Sequence, residues 1–125
     1  MRDEKSDLRD LRMRTKNFAL SIIRMYGALP KSSVAQILGK QIVRSGTSVG
    51  ANYREAFRAC SNAEFISKIG DCLKELDETS YWLELLTETF NTNTPQISFT
   101  DLSDECNQLL AIFTTISKKA KNRTS

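Results

Sequence analysis

Apolar residues recur along most of this chain three and four positions apart, the spacing of a helix that buries one face. Leu8, Leu11, Phe18, Ile22 and Tyr26, widened by Ala19 and Ile23, predict a first helix from about Leu8 to Ala28. Arg9, Arg12, Lys16 and Arg24 fall mostly off that stripe. Gly27 and Pro30 end it, because proline disfavours helical geometry in the residue before it. Ser32 or Ser33 can cap a second helix that runs to about Ala59. Ser61 followed by Glu64 is the capping-box pattern and opens a third. Its stripe is Phe65, Ile69, Cys72, Leu76, Leu83, Leu86 and Phe90, broadened by Ile66, Leu73 and Trp82. Residues 91–95 form a loop by their turn chemistry. A fourth helix, capped by Thr100, spans about Asp101 to Lys119, and the chain after Ala120 is expected to fray. No strand is expected beyond the short segment 96–99. Together these predict an all-α, antiparallel, up-down-up-down four-helix bundle, with residues 1–125 as its single domain.

The second helix carries the most information. At about 100° per residue, Lys40, Arg44, Arg54 and Arg58 fall within roughly 40° of one direction. Leu38, Ile42, Val49, Tyr53 and Ala56 lie roughly opposite. Gly39, Gly46 and Gly50 form a narrow strip between the two faces. Each glycine costs roughly 0.5–1 kcal/mol against alanine in a helix, so this helix depends on tertiary contacts. Close packing of another helix along the glycine strip, especially at Gly46 and Gly50, is the expected compensation.

Charge sharpens this picture. The net charge of +3 conceals a second quarter, residues 31–60, at +4 and a third, residues 61–90, at −5. Complementary neighbouring helices or subunits explain that contrast, and so does a basic surface that meets an acidic partner. The N-terminal residues are charged throughout, without the apolar core of a signal peptide, and no apolar run is long enough to span a membrane. Three widely spaced cysteines, Cys60, Cys72 and Cys106, argue against a disulfide framework and for a reducing cytoplasm. Cys72 and Cys106 sit at core-periodic positions.

Catalytic chemistry finds little support. The chain has no histidine, the commonest general base and zinc ligand. No Cys-x-x-Cys pair, phosphate-cradling glycine loop or nucleophile elbow occurs. Asp71, Glu75 and Glu78 are neighbours by spacing but fall on a polar face, which suits solvation better than a metal. No catalytic residue, metal or cofactor is therefore assigned. Tyr53, Tyr81 and Trp82 fall on or beside apolar faces and read as core or subunit contacts before base-stacking platforms.

The run Gly39-Lys-Gln-Ile-Val-Arg-Ser-Gly-Thr-Ser-Val-Gly-Ala-Asn52, then Arg54-Glu-Ala56, Ser61-Asn-Ala-Glu-Phe65 and Leu73-x-Glu-Leu76, resembles a known family. These are the bacterial four-helix-bundle proteins encoded in intervening sequences of 23S rRNA genes. The resemblance covers about Phe18 to Leu86. Accessory proteins of diversity-generating retroelements are related to that family and act with nucleic acid and a reverse transcriptase. Many relatives carry proline at the position of Gly50 and glycine at that of Ala56. The resemblance implies a bundle that assembles as a ring-like homopentamer and binds RNA or other nucleic acid. It supplies no catalytic residues.

Two functions follow as expectations. One is nucleic-acid binding by phosphate contacts through Lys40, Arg44, Arg54 and Arg58, which span about 27 Å of helix at about 1.5 Å per residue. Arg9, Arg12, Lys16 and the 118–123 tail would add to it. The other is a protein-interaction scaffold whose basic stripe pairs with the acidic third helix of a neighbour. An apolar set wider than one bundle seam, including Phe57, Tyr81, Trp82 and Leu85, favours self-association in either case.

Overall fold

A computed structural model of the chain describes residues 4–90 and 97–123, with side chains from residue 7. Four α-helices account for nearly all of these residues: α1 Glu4–Ala28, α2 Ser33–Phe57, α3 Asn62–Phe90 and α4 Phe99–Arg123. The expected loop 91–95 and Gln96 lie outside the described residues.

Local chemistry sets the helix starts. The Ala35 backbone N–H donates to Ser32 Oγ at 3.2 Å, which makes Ser32 the cap of α2. At α3, Glu64 N–H donates to Ser61 Oγ at 3.1 Å, and the Glu64 carboxylate accepts from the Cys60 N–H at 3.2 Å. This is a capping box shifted by one backbone donor. The cap of α4 differs from expectation. Asp101 N–H donates to Ser98 Oγ at 3.2 Å, so Ser98 rather than Thr100 caps the helix, which starts at Phe99. α4 also continues one turn past the expected end, to Arg123, because Ala120 is buried and its carbonyl accepts from Asn62 Nδ2 at 2.8 Å.

The core combines the expected stripes: Phe18 and Ile22 from α1, Ile42, Val49 and Tyr53 from α2, Ile69, Leu76, Leu83 and Leu86 from α3, Leu109 and Phe113 from α4. Met25 joins it outside the expected α1 stripe, whereas Ile23, expected to widen that stripe, is exposed. α2 packs on α1 and on α3, and α3 packs on α4, whereas α1 and α4 meet only sparingly. Their seam is held by polar groups. Arg14 makes a two-pronged contact with Glu105 at 2.7 and 2.8 Å and also reaches Gln108 at 2.9 Å. A cleft of about 510 Å³ runs along this seam, walled by Leu8, Leu11, Ile112 and Ile116 among others. Between α2 and α3 the register is set by a buried hydroxyl pair, Ser45 and Thr79, at 2.8 Å.

The three glycines of α2 face α1. A Cβ on Gly39 would lie 2.4 Å from the Tyr26 ring, one on Gly46 3.0 Å from Ile22 Cγ1, and one on Gly50 3.3 Å from Thr15 Oγ1. The tightest approach is thus at Gly39, about two helical turns before the pair expected to matter most.

Cys72 and Cys106 are buried, and their thiols donate to the carbonyls of Val49 and Leu76. Burial pushes both thiols up to about 12, helped by the charge of Asp71 at Cys72 and of Asp77 at Cys106. Cys60 is exposed. A thiol reagent at pH 8 should therefore modify Cys60 alone in the native protein and all three cysteines after unfolding, read by mass spectrometry. Unfolded thiols ionise near 9. Above that pH the unfolded chain holds fewer protons than the folded one. Stability should therefore fall as pH rises from about 9 towards 12.

Candidate nucleic-acid interface

α2 lies between α1 and α3, so one side of it faces away from the bundle. Lys40, Arg44, Arg54 and Arg58 are all exposed there. They do not form one uniform stripe. Arg44 is spent on α3: its Nη2 lies 2.9 Å from Glu78 Oε2 and its Nη1 3.3 Å from Glu75 Oε2. The hydrogen bond to Glu78 holds the Arg44 proton more tightly. Burial pushes the Glu75 carboxyl up, against the opposing pull of Arg44. Part of the charge contrast between α2 and α3 is thus complementarity inside one chain. Lys68 and Glu55 add a second link across the same pair of helices at 3.3 Å.

Lys40, Arg54 and Arg58 have no side-chain ion pair or hydrogen bond among the described residues. Arg54 and Arg58 sit where α2 ends, next to the start of α1. Three contacts establish that neighbourhood. Thr15 lies against Gly50, the Tyr53 hydroxyl donates to the Leu8 carbonyl, and the Arg12 guanidinium stands 5.0 Å from the centre of the Phe57 ring. Helical spacing then turns Arg9, Arg12 and Lys16 towards the flank that α1 shares with α2. The structure separates Lys40, near the other end of α2, from this cluster.

The aromatic candidates divide in the same way. Tyr53 is fully buried, edge-on to Phe113 at 5.5 Å, and belongs to the core. Tyr81 is 54% exposed and tilts against Trp82, whose Nε1 is buried without a hydrogen-bond partner among the described residues. Among the described residues, the ring that a cation faces is Phe57, with Arg12 against it. The sequence puts Phe57 in the self-association set. On the helical wheel it lies about 40° from Tyr53 and about 60° from Arg54, at the edge of the core face, and its neighbour Arg12 belongs to another helix. Among the described residues, no group of three or more cysteine, aspartate or glutamate side chains is arranged to hold a metal ion. None of the helices is long and apolar enough to cross a membrane.

The model of the 23S rRNA-intervening sequence protein family matches residues 9–115. The chain belongs to that family. A member of the S23 ribosomal protein family from Bacteroides thetaiotaomicron VPI-5482, described as a protein with unknown function, is 36% identical in sequence. Its crystal structure superposes with a TM-score of 0.79, covering 89% of this chain and 97% of that one. No functionally curated protein matches the chain. α2 runs unbroken through Gly50.

Proposed function

We propose that this protein is a non-catalytic, cytoplasmic, nucleic-acid-binding bundle that meets RNA or DNA through the outward face of α2, mainly by phosphate contacts. The observation that supports this reading is the set Lys40, Arg54 and Arg58, exposed on one face without a carboxylate partner. Unpaired cations retain their full attraction for phosphate, whereas Arg44 must first leave Glu75 and Glu78. A variant with Lys40, Arg54 and Arg58 changed to glutamine should lose most affinity for a labelled RNA at low salt, with a shallower salt slope. Arg44→Gln alone should have a smaller effect than Arg54→Gln or Arg58→Gln, read by fluorescence anisotropy. Unchanged affinity and slope in the triple variant would remove this face as the binding surface.

We also propose that the protein works as a homo-oligomer, a pentamer by its resemblance to the family. Support comes from apolar side chains left in water: Val34 at 50%, Ile37 at 64% and Tyr81 at 54% exposure. The register fixed by Ser45 and Thr79 places Ile37 near the turn of α3 that carries Leu85. Ile37→Lys with Tyr81→Lys should yield smaller particles in light scattering. A parent that is already monomeric at micromolar concentration would overturn this. The second reading, a protein-interaction scaffold without nucleic-acid binding, draws on the same apolar surface and on the capture of Arg44 by α3. It takes over if the parent binds no nucleic acid at low salt.

A further inference from the structure

The end of the bundle where α1 begins and α2 ends combines a cleft, an exposed ring and a block of unpaired cations. The cleft, about 480 Å³, is lined by Leu8 and Arg9 of α1, Ala56 and Phe57 of α2, the 59–62 turn and Phe65 of α3. Its volume lies within the roughly 300–1,000 Å³ usual for small-ligand sites. Phe57 is 36% exposed, at the edge of the core face of α2, with its ring centre 6.3 Å from that of Tyr53. Arg12 is drawn up to its ring, an arrangement that also suits a third, planar group. Arg9 lines the same cleft, Lys16, Arg54 and Arg58 are exposed on neighbouring turns of α1 and at the end of α2, and none of the four has an ion-pair partner among the described residues. The nearest α2 carboxylate, Glu55, is taken by Lys68 on the α3 side.

Cations alone would accept any polyanion, including the regular phosphate rows of a duplex. A ring beside them adds something a duplex cannot use, since its bases are already stacked on one another. We infer that this corner binds a single-stranded stretch of nucleic acid, with phosphates on Arg9, Arg12, Arg54 and Arg58 and one base stacked against Phe57 at the mouth of the cleft. The inference rests on the nucleic-acid reading above and narrows it in two respects. The ligand is unpaired, and the contact centres on the α1–α2 corner rather than along α2 as far as Lys40.

The test uses the full chain and two labelled probes of equal charge, a single-stranded oligo(U) and an RNA duplex, with anisotropy measured across a salt series. The single strand should bind at least tenfold more tightly. Phe57→Leu should weaken the single strand about tenfold, as expected when one base can no longer stack, and leave the duplex and both salt slopes unchanged. Phe57→Trp should keep or strengthen single-strand binding, which separates stacking from any change in folding. Arg9→Gln with Arg12→Gln should instead lower the single-strand salt slope, by about 0.7 for each phosphate no longer neutralised. Equal binding of the two probes, with no effect of Phe57→Leu, would overturn the single-strand inference and leave the nucleic-acid reading standing. Absence of binding to both probes at low salt would overturn the nucleic-acid reading itself.

Discussion

Gly46→Leu should destabilise the protein by about 2–3 kcal/mol, the upper range for overpacking a closed interior. Even a methyl group at Gly46 would come within 3.0 Å of Ile22 Cγ1 and 3.3 Å of its Cγ2. Ile22 is fully buried among the core side chains and cannot swing outward. Leucine adds three more carbons along the same line, so α1 and α2 must separate or Ile22 must leave its rotamer. Gly39→Ala should cost less than Gly46→Leu despite the closer contact of 2.4 Å. The obstacle there is the ring of Tyr26, which is half-buried and can rotate away once it gives up its 2.8 Å hydrogen bond to Gln36. Gly70→Ala provides the contrast. Nothing lies within 4 Å of its Cβ position, so better helix propensity should stabilise α3 by about 0.5–1 kcal/mol. Urea titrations at one fixed protein concentration would measure all three, with concentration held constant because self-association would otherwise shift the midpoint. If Gly46→Leu melts like the parent, α1 does not pack on this strip.

That glycines would face another helix could be read from their spacing, because no other feature repays three poor helix formers in one element. Which helix they face could not, since α1 and α3 flank α2 equally in sequence. The same limit governs the basic stripe. The spacing of Lys40, Arg44, Arg54 and Arg58 fixes a common direction, and the structure leaves all four exposed. The capture of Arg44 depends on Glu75 and Glu78, 31 and 34 positions away, and on a register that the Ser45–Thr79 pair holds together with the contacts of Cys72 on Val49 and Lys68 on Glu55. Nothing local encodes that register. Phe57 was hidden for the same reason: its neighbour Arg12 belongs to a different helix. The α4 cap was missed although its signal was local. Ser98 and Asp101 stand at capping-box distance, but Thr100, next to the first acidic residue, offered an equally good oxygen. The thin α1–α4 seam joins the polar contacts of Arg14 with Glu105 and Gln108 to an open cleft walled by Leu8, Leu11, Ile112 and Ile116.

Tyr53→Ala should cost about 3–5 kcal/mol, the usual range for removing a large aromatic from a core. Tyr53 is fully buried, edge-on to Phe113 at 5.5 Å and tilted to Phe57 at 6.3 Å. Its hydroxyl donates to the Leu8 carbonyl, so one side chain of α2 ties the first turns of α1 to the core. Tyr53→Phe separates the two contributions. It keeps the ring and removes one hydrogen bond, for about 1 kcal/mol. The global cost in that variant should be small, yet the amides near Leu8 should exchange faster, because the hydroxyl fastens the Leu8 carbonyl to the core. Arg9 and Arg12 ride on that turn. The hydroxyl therefore links core packing to the basic corner: Tyr53→Phe should weaken nucleic-acid binding more than its modest stability cost implies, while Lys40→Gln should leave exchange near Leu8 untouched. A Tyr53→Phe variant whose α1 amides exchange as slowly as the parent's would show that the start of α1 is held by other contacts, and that the corner does not depend on the core beneath it.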